Sequence, residues 1–243
     1  MKELARIMRF DFLTAMGTPG TLMLALLFTA VSILAGMFCF PLGSVYFEFT
    51  LAGALIAPLG RAAAKNGFNK LYGVLPVSRK NITRARFVYI FLVAFVAEMT
   101  TFLLTEISYA AKLYRLLPVT APDIKAMLEQ NFDKTQSFSL TVKVLVAAFI
   151  GITVLSAVFS MLSMIFGSEN TGKIIAISVA ILLFVSMGFV MLNEMDILPV
   201  FNFMGLFMKD ISAAGIIICN ISGAAVCLIC GEVTANRLAL REL

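Results

Sequence analysis

One short segment of this sequence has nearly the spacing of a phosphate-binding loop. Residues 167–174 read GSENTGKI, in which two glycines and a lysine stand as in the pattern GxxxxGK[ST]. The Ser or Thr that would hold Mg²⁺ is replaced by Ile174, and the apolar run before Gly167 has the length of a membrane helix rather than a strand. The segment is therefore predicted to be a cytoplasmic turn without a nucleotide site.

Cysteine and histidine, which often carry metal binding and covalent catalysis, offer no site here. The chain has no histidine, which excludes His-based triads, HExxH zinc sites and imidazole proton relays. The four cysteines all lie in apolar runs, and Cys227 and Cys230 form a CxxC without the second ligand pair that a structural zinc needs. We predict buried thiols at these positions, no metal site and no catalytic residue.

Two acidic side chains interrupt apolar runs. Glu98 lies about halfway along its run, where an ionised carboxylate costs on the order of 3 kcal/mol. Thr101 and Thr105 share its helical face, so we expect the three to face other helices or a wet cavity and treat them as candidates for a translocation path. A protonated carboxyl hydrogen-bonded to a neighbouring helix accounts for Glu98 equally well. Glu48 is expected near the outer end of its run, in reach of water.

The elements that position these residues are apolar runs, which predict an all-α integral membrane protein. Hydrophobic residues make up 60% of the 243 residues and charged residues 14%, a composition suited to a bilayer. About twenty apolar residues cross a hydrocarbon core of ~30 Å. Six spans are predicted within a single transmembrane domain covering residues 1–243, at residues 21–40, 45–60, 87–110, 144–166, 174–192 and 211–231.

The N-terminal segment, residues 1–17, has the pattern of an amphipathic helix. Apolar residues gather on one side and three cations, Lys2, Arg6 and Arg9, on the other, which is typical of a helix lying on the membrane interface. Asp11 interrupts the apolar side, and the pattern does not explain it.

Two further segments are expected on the outer membrane surface. Thr120 to Asp123 has the pattern of a capping box, and apolar residues follow at helical spacing through Phe132, which predicts a short amphipathic helix. Residues 193–210 are too short and too acidic at their ends to span, which favours a re-entrant or interfacial element.

The densest charge lies in residues 61–86. This segment has no acidic residue and seven cations, Arg61, Lys65, Lys70, Arg79, Lys80, Arg84 and Arg86. The positive-inside rule places it in the cytoplasm, and six spans then put both termini inside. The net charge of +5 does not indicate a nucleic-acid partner, because its largest concentration lies between two spans. Ser78 is predicted to cap the helix of the third span, and the apolar residues among the cations suit a docking surface.

Within this segment, GVLPVSRKNITRARF resembles the LPVSR motif of bacterial ABC exporter permeases of the type-2 class, whose ATPase is a separate polypeptide. The layout is also similar to that family: an amphipathic N-terminal helix, six spans, a basic segment after the second span, an outer element before the sixth and a short charged tail.

The resemblance implies that the segment after the second span docks on an ATPase subunit. It assigns this coupling role to Phe68, Lys70, Leu71, Tyr72, Leu75, Pro76, Ser78 and Arg79. It further implies a multi-pass protein of the bacterial cell membrane, surrounded by lipid, that pairs with a second permease as a homo- or heterodimer. ATP and Mg²⁺ would bind the partner subunit, so this chain is not expected to be an enzyme or to hold a cofactor. Substrates of similar permeases are amphipathic peptides, bacteriocins or drugs.

Three other classes stay open at this point. A secondary transporter would use buried ionisable groups such as Glu98 for ion coupling, although no internal repeat is visible. A non-transporting membrane partner subunit would need only the docking surface. An intramembrane enzyme would have to work without histidine and with carboxylates that do not pair in the sequence.

Overall fold

The computed structural model of the protein describes residues 2–16, 19–39, 43–66, 78–118, 121–133, 138–166 and 212–240. These ranges are helical and contain no strand. The α-helices, numbered along the chain, are α1 Lys2–Met16, α2 Pro19–Leu34, α3 Gly43–Asn66, α4 Arg79–Ala111, α5 Pro122–Asn131, α6 Phe138–Phe166 and α7 Ala213–Leu240. A π-helical turn, Ala35–Cys39, extends α2, and a 3-10 turn, Leu113–Leu116, follows α4.

Three of the described helices, α4, α6 and α7, are long and apolar enough to cross a membrane. Their apolar parts have 32, 29 and 27 residues, and even the shortest covers ~40 Å at 1.5 Å per residue. Helices α2 and α3 occupy the predicted spans 21–40 and 45–60, but their described apolar stretches, Leu26–Phe38 and Val45–Ile56, are shorter. The chain is therefore a membrane-embedded helical protein, and the count of six spans stays a prediction.

Two predicted elements near the C-terminal half lie outside the described residues. These are the fifth span, residues 174–192, and the interfacial element, residues 193–210. The turn predicted at residues 167–173 lies outside them as well.

The start of α4 confirms the predicted cap at Ser78. The Ser78 hydroxyl accepts a hydrogen bond from the Asn81 backbone N–H at 3.4 Å, and its carbonyl accepts the first helical bonds. Both ends of the basic segment 61–86 are helical, since α3 continues to Asn66 and α4 begins at Arg79. Residues 61–65 read RAAAK, a run of strong helix formers, which explains the longer α3.

Helix α4 is central in the described part of the chain, with α1, α3, α6 and α7 packed around it. Two apolar clusters lie on its surface. The first joins Tyr89, Val93 and Ala94 of α4 to Ala52 of α3 and to Phe149 and Ile152 of α6. The second joins Phe87 and Ile90 of α4 to Ala157 of α6 and to Cys227 and Cys230 of α7.

Small residues on α7 allow this close packing. Gly231 faces the Phe87 ring, and a Cβ on Gly223 would lie only 3.0 Å from the ring of Phe149. Helices that approach in a membrane commonly use such small residues at the contact. Cys227 and Cys230 lie in the same interface as buried free thiols, which confirms the prediction for this pair.

Contacts between helix ends define the directions of the long helices. Arg84 near the start of α4 forms a bidentate ion pair with Glu232 near the end of α7. Its Nε donates to Glu232 Oε1 at 2.6 Å and its Nη2 donates to Oε2 at 3.0 Å. Tyr109 near the end of α4 shares a hydrogen bond of 3.2 Å with Thr141 near the start of α6. Helices α6 and α7 therefore both run antiparallel to α4.

Helix α1 packs against α3 and α4, and this explains Asp11. Ile7 and Asp11 lie one turn apart and are each 1% exposed, whereas Arg6 and Arg9 face away. Asp11 interacts electrostatically with Tyr89, whose hydroxyl donates to the Leu55 carbonyl at 3.2 Å. The side of α1 with Asp11 is therefore a protein contact.

The short helix predicted after residue 120 is present as α5, with a different start. Ala121 is its N-cap and Pro122 its first residue, so the capping box with Thr120 at the N-cap does not form. Leu128 and Phe132 are buried against the 3-10 turn after α4, where Phe132 stacks on Tyr114 with ring centroids 5.2 Å apart. This contact fixes α5 to the end of α4.

Candidate functional site

A stripe of buried polar side chains runs along α4. Glu98, Thr101 and Thr105 are 3%, 0% and 3% exposed, as their shared helical face predicted. The Thr101 hydroxyl donates to the Ala97 carbonyl at 2.7 Å, within its own helix. Further along, the Ser108 hydroxyl donates to the Met37 carbonyl at 2.7 Å and so satisfies an acceptor in the π-helical turn of α2. The role of Glu98, Thr101 and Thr105 in a translocation path stays a prediction.

Glu98 accepts a hydrogen bond from another helix. The side-chain amide of Asn220 on α7 donates to Glu98 Oε1 at 3.4 Å and also to the Ile216 carbonyl at 3.1 Å. Glu98 Oε2 and Asn220 Oδ1 are buried and have no hydrogen-bond partner among the described residues. Buried polar atoms in proteins are nearly always paired, so these two oxygens require an explanation.

Glu48 joins Glu98 in the interior, contrary to the expectation that its carboxylate reaches water. Its exposure is 0%, and neither of its carboxyl oxygens has a hydrogen-bond partner within the described ranges. Glu48 lies in the early part of α3, a helix that packs against α1, α2, α4 and α6. It interacts electrostatically with Glu98, a group of the same sign. We call Glu48 and Glu98 the acid pair.

An apolar groove lies between α4 and α7, and Asn220 links it to Glu98 of the acid pair. Its volume is about 390 Å³, and Phe91, Phe95 and Met99 of α4 form one wall. The α7 wall is apolar apart from Asn220, the residue that reaches Glu98.

The end of the bundle at which α4 begins is basic but not uniformly exposed. Lys80, Arg84 and Arg237 are exposed there, and Arg84 pairs with Glu232. Arg86 is only 4% exposed and lines a small pocket together with Ser160 and Ser163 of α6, although it belongs to the basic segment 61–86.

The residues assigned to ATPase coupling divide between two regions. Ser78 caps α4, and Arg79 is the first residue of that helix. The other six, Phe68, Lys70, Leu71, Tyr72, Leu75 and Pro76, lie outside the described residues, so their coupling role stays a prediction.

Asn220 was not predicted from the sequence as a partner of Glu98. A single Asn within the apolar run 211–231 was the available signal, because such a group needs an interior partner in a membrane. The pairing itself had no signal, since the two residues are 122 positions apart.

No protein-family model, no curated protein and no solved structure matches this chain. Its function must therefore be inferred from its residues and their geometry.

Proposed function

We propose that this chain is the permease subunit of an ATP-driven exporter in the bacterial cell membrane. It pairs with a second permease and with two separate ATPase subunits, which bind ATP and Mg²⁺, and it exports amphipathic peptides, bacteriocins or drugs. The observation that carries this proposal is the LPVSR segment directly before α4, the helix around which the others pack.

The position of α4 offers a physical route from ATP hydrolysis to the membrane interior. The helix has 33 residues and a length of ~50 Å, and it begins at Arg79, directly after its cap Ser78 and next to the other docking residues. Glu98 lies 20 positions after Ser78, ~30 Å along the same helix. A displacement of the docking segment by the ATPase would thus shift the polar stripe of α4 against α3 and α7.

The directions of the helices support the proposed topology. In a six-span arrangement with both termini in the cytoplasm, α4 runs outward, whereas α6 and α7 run inward. The Arg84–Glu232 and Tyr109–Thr141 contacts agree with these directions. The exposed cations Lys80 and Arg84 then lie on the cytoplasmic side.

The test removes the apolar anchors of the docking segment and leaves its cations. Tyr72→Ala with Leu75→Ala should preserve insertion but weaken co-purification of the ATPase and abolish ATP-driven export, because apolar anchors dominate such interfaces. The matched control is Ile124→Ala with Met127→Ala, which removes exposed apolar side chains from α5 at the opposite end. The control should bind the ATPase and export normally.

The assay is co-purification of the ATPase together with substrate-stimulated hydrolysis in reconstituted membranes. If the docking variant binds and exports like the control, the basic segment is only an orientation signal and the permease assignment fails. Binding of an ATPase without any transport would instead indicate a non-transporting partner subunit.

The acid pair favours one alternative, a secondary transporter. Buried carboxyl groups within spans are the usual means of coupling transport to an ion gradient. This alternative predicts that an imposed ion gradient drives substrate transport by the purified protein without an ATPase. It also predicts that Glu98→Gln abolishes this transport. The exporter proposal predicts no such movement.

A further inference from the structure

The acid pair is a candidate ligand site that the proposed function does not use. We infer that Glu48 and Glu98 form a proton-binding site in the interior of the bundle, with Asn220 as the hydrogen-bonding residue of the neighbouring helix. The pair holds bound protons instead of two negative charges.

The first reason is the set of unpartnered oxygens. Both Glu48 oxygens and Glu98 Oε2 are buried and lack a partner within the described ranges, and Glu48 is completely enclosed. An ionised carboxylate only accepts hydrogen bonds, whereas a protonated carboxyl also has an O–H donor. A proton on one carboxyl group thus supplies a donor where the structure has only acceptors.

The second reason is charge. The two groups interact electrostatically with each other, and neither forms an ion pair with a described residue. Two carboxylates that share a buried site cannot both remain ionised without a counter-charge.

Among the described residues, other titratable groups on the surrounding helices do not supply that counter-charge. Buried Arg86 of α4 lies twelve positions before Glu98, or ~18 Å along the helix. Tyr89, with which Asp11 of α1 interacts, lies nine positions before Glu98, or ~14 Å along α4. Lys143 of α6 lies near the far end of α4. It is two positions from Thr141, whose hydroxyl contacts Tyr109. Tyr109 is ~16 Å beyond Glu98 along α4. The remaining titratable side chains of α4 and α7 near this level are Glu106, Cys219 and Cys227, none of them a cation.

The geometry favours a proton over a metal ion. Sites for hard cations such as Ca²⁺ and Mg²⁺ are rich in carboxylates, and the described residues contain no group of three or more His, Cys, Asp or Glu side chains that could hold a metal ion. The amide N–H of Asn220 donates to Glu98 Oε1. The partial positive charge of this donor disfavours binding of a metal ion to the same oxygen.

Infrared spectroscopy of the full-length protein in lipid nanodiscs, with any co-purifying subunits, tests the site. At about pH 7 exposed carboxyl groups are ionised, and Asp11 of α1 is the other buried acid among the described residues, so the measurement is made in an Asp11→Asn background. In that background the carbonyl stretch of a protonated carboxyl, shifted in D₂O, should come from the pair. Glu48→Gln and Glu98→Gln should each remove part of this band and the double variant all of it. Glu129→Gln, on the exposed side of α5, is the matched control and should leave the band unchanged.

Glutamine keeps the size of the side chain and removes only the titratable proton, so the variants should insert normally. If one does not, Glu98→Asp retains the carboxyl but withdraws it by one methylene, and it must shift the band. A wild-type spectrum without the band, or a band that survives the double variant, overturns the inference. Stabilisation of wild-type protein by NaCl but not by choline chloride, with no protonated band, would also overturn it in favour of an alkali-metal site.

Discussion

A close approach between α6 and α7 gives the sharpest stability prediction. Gly223 of α7 lies against Phe149 of α6, and Gly223→Ala adds one methyl group at this contact. The new Cβ would be 3.0 Å from Phe149 Cε1, 3.2 Å from Cζ and 3.5 Å from Thr153 Cγ2. Carbon atoms in favourable contact are ~3.5–4.0 Å apart, so the ring or the helices must move by about half an ångström.

The Phe149 ring has little room to move. It is 0% exposed and packs edge-to-face on Phe91, with centroids 6.2 Å apart. Adding a methyl group to a packed interior costs ~1–3 kcal/mol. In water, replacing glycine by alanine within a helix stabilises the helix by up to ~1 kcal/mol. Membrane helices are already helical before they associate, so only part of this stabilisation contributes here. We expect a net loss of ~1–2 kcal/mol, near a tenfold change in the unfolding equilibrium.

The matched control is Gly151→Ala on α6, where an added Cβ meets nothing within 4 Å. Both variants make the same chemical change in an apolar helix, so their difference isolates the contact with Phe149. Equilibrium unfolding in mixed detergent and SDS micelles, followed by circular dichroism, measures it. Equal stability of the two variants would refute the proposed closeness of α6 and α7.

Three further predictions concern the two ends of the bundle. A double-mutant cycle on Arg84→Ala and Glu232→Ala should give a small coupling that disappears at high salt, because both side chains are nearly half exposed; a large, salt-insensitive value would contradict this. Phe132→Ala should lower the stability of α5 docking by up to ~3 kcal/mol, seen as faster amide hydrogen exchange in that helix alone. In a background without native cysteines, a cysteine at Lys125 should react with a membrane-impermeant thiol reagent in intact cells and one at Asn69 should not; the reverse would overturn the topology.

The sequence predicted local features better than helix ends. Apolar runs indicated α4, α6 and α7, and Ser78 indicated where α4 begins, because a cap is a local hydrogen bond. Helix α3 extends to Asn66, beyond the predicted span 45–60, because residues 61–65 are strong helix formers. The start of α5 was placed at Thr120, although Pro122 is better suited to the first helical position.

Burial was predictable only where one helix determines it. Glu98, Thr101 and Thr105 share a face, so their common burial followed from helical period. Glu48 was expected near water because of its position along a run, but its burial depends on which helices lie beside α3. A single sequence does not contain that information, nor does it reveal that Asn220 reaches Glu98.

The close approach at Gly223 and the acid pair are physically linked. Asn220 lies one turn from Gly223 on α7, so a displacement of α7 away from Phe149 of α6 would also move Asn220 relative to Glu98 of α4, to which it donates at 3.4 Å. Gly223→Ala should therefore lengthen that bond and shift the infrared band of the protonated pair, whereas Gly151→Ala should leave it in place. A band unchanged in Gly223→Ala, in protein shown to be destabilised, would mean that Glu98 does not depend on α7 and that Asn220 is not part of the site.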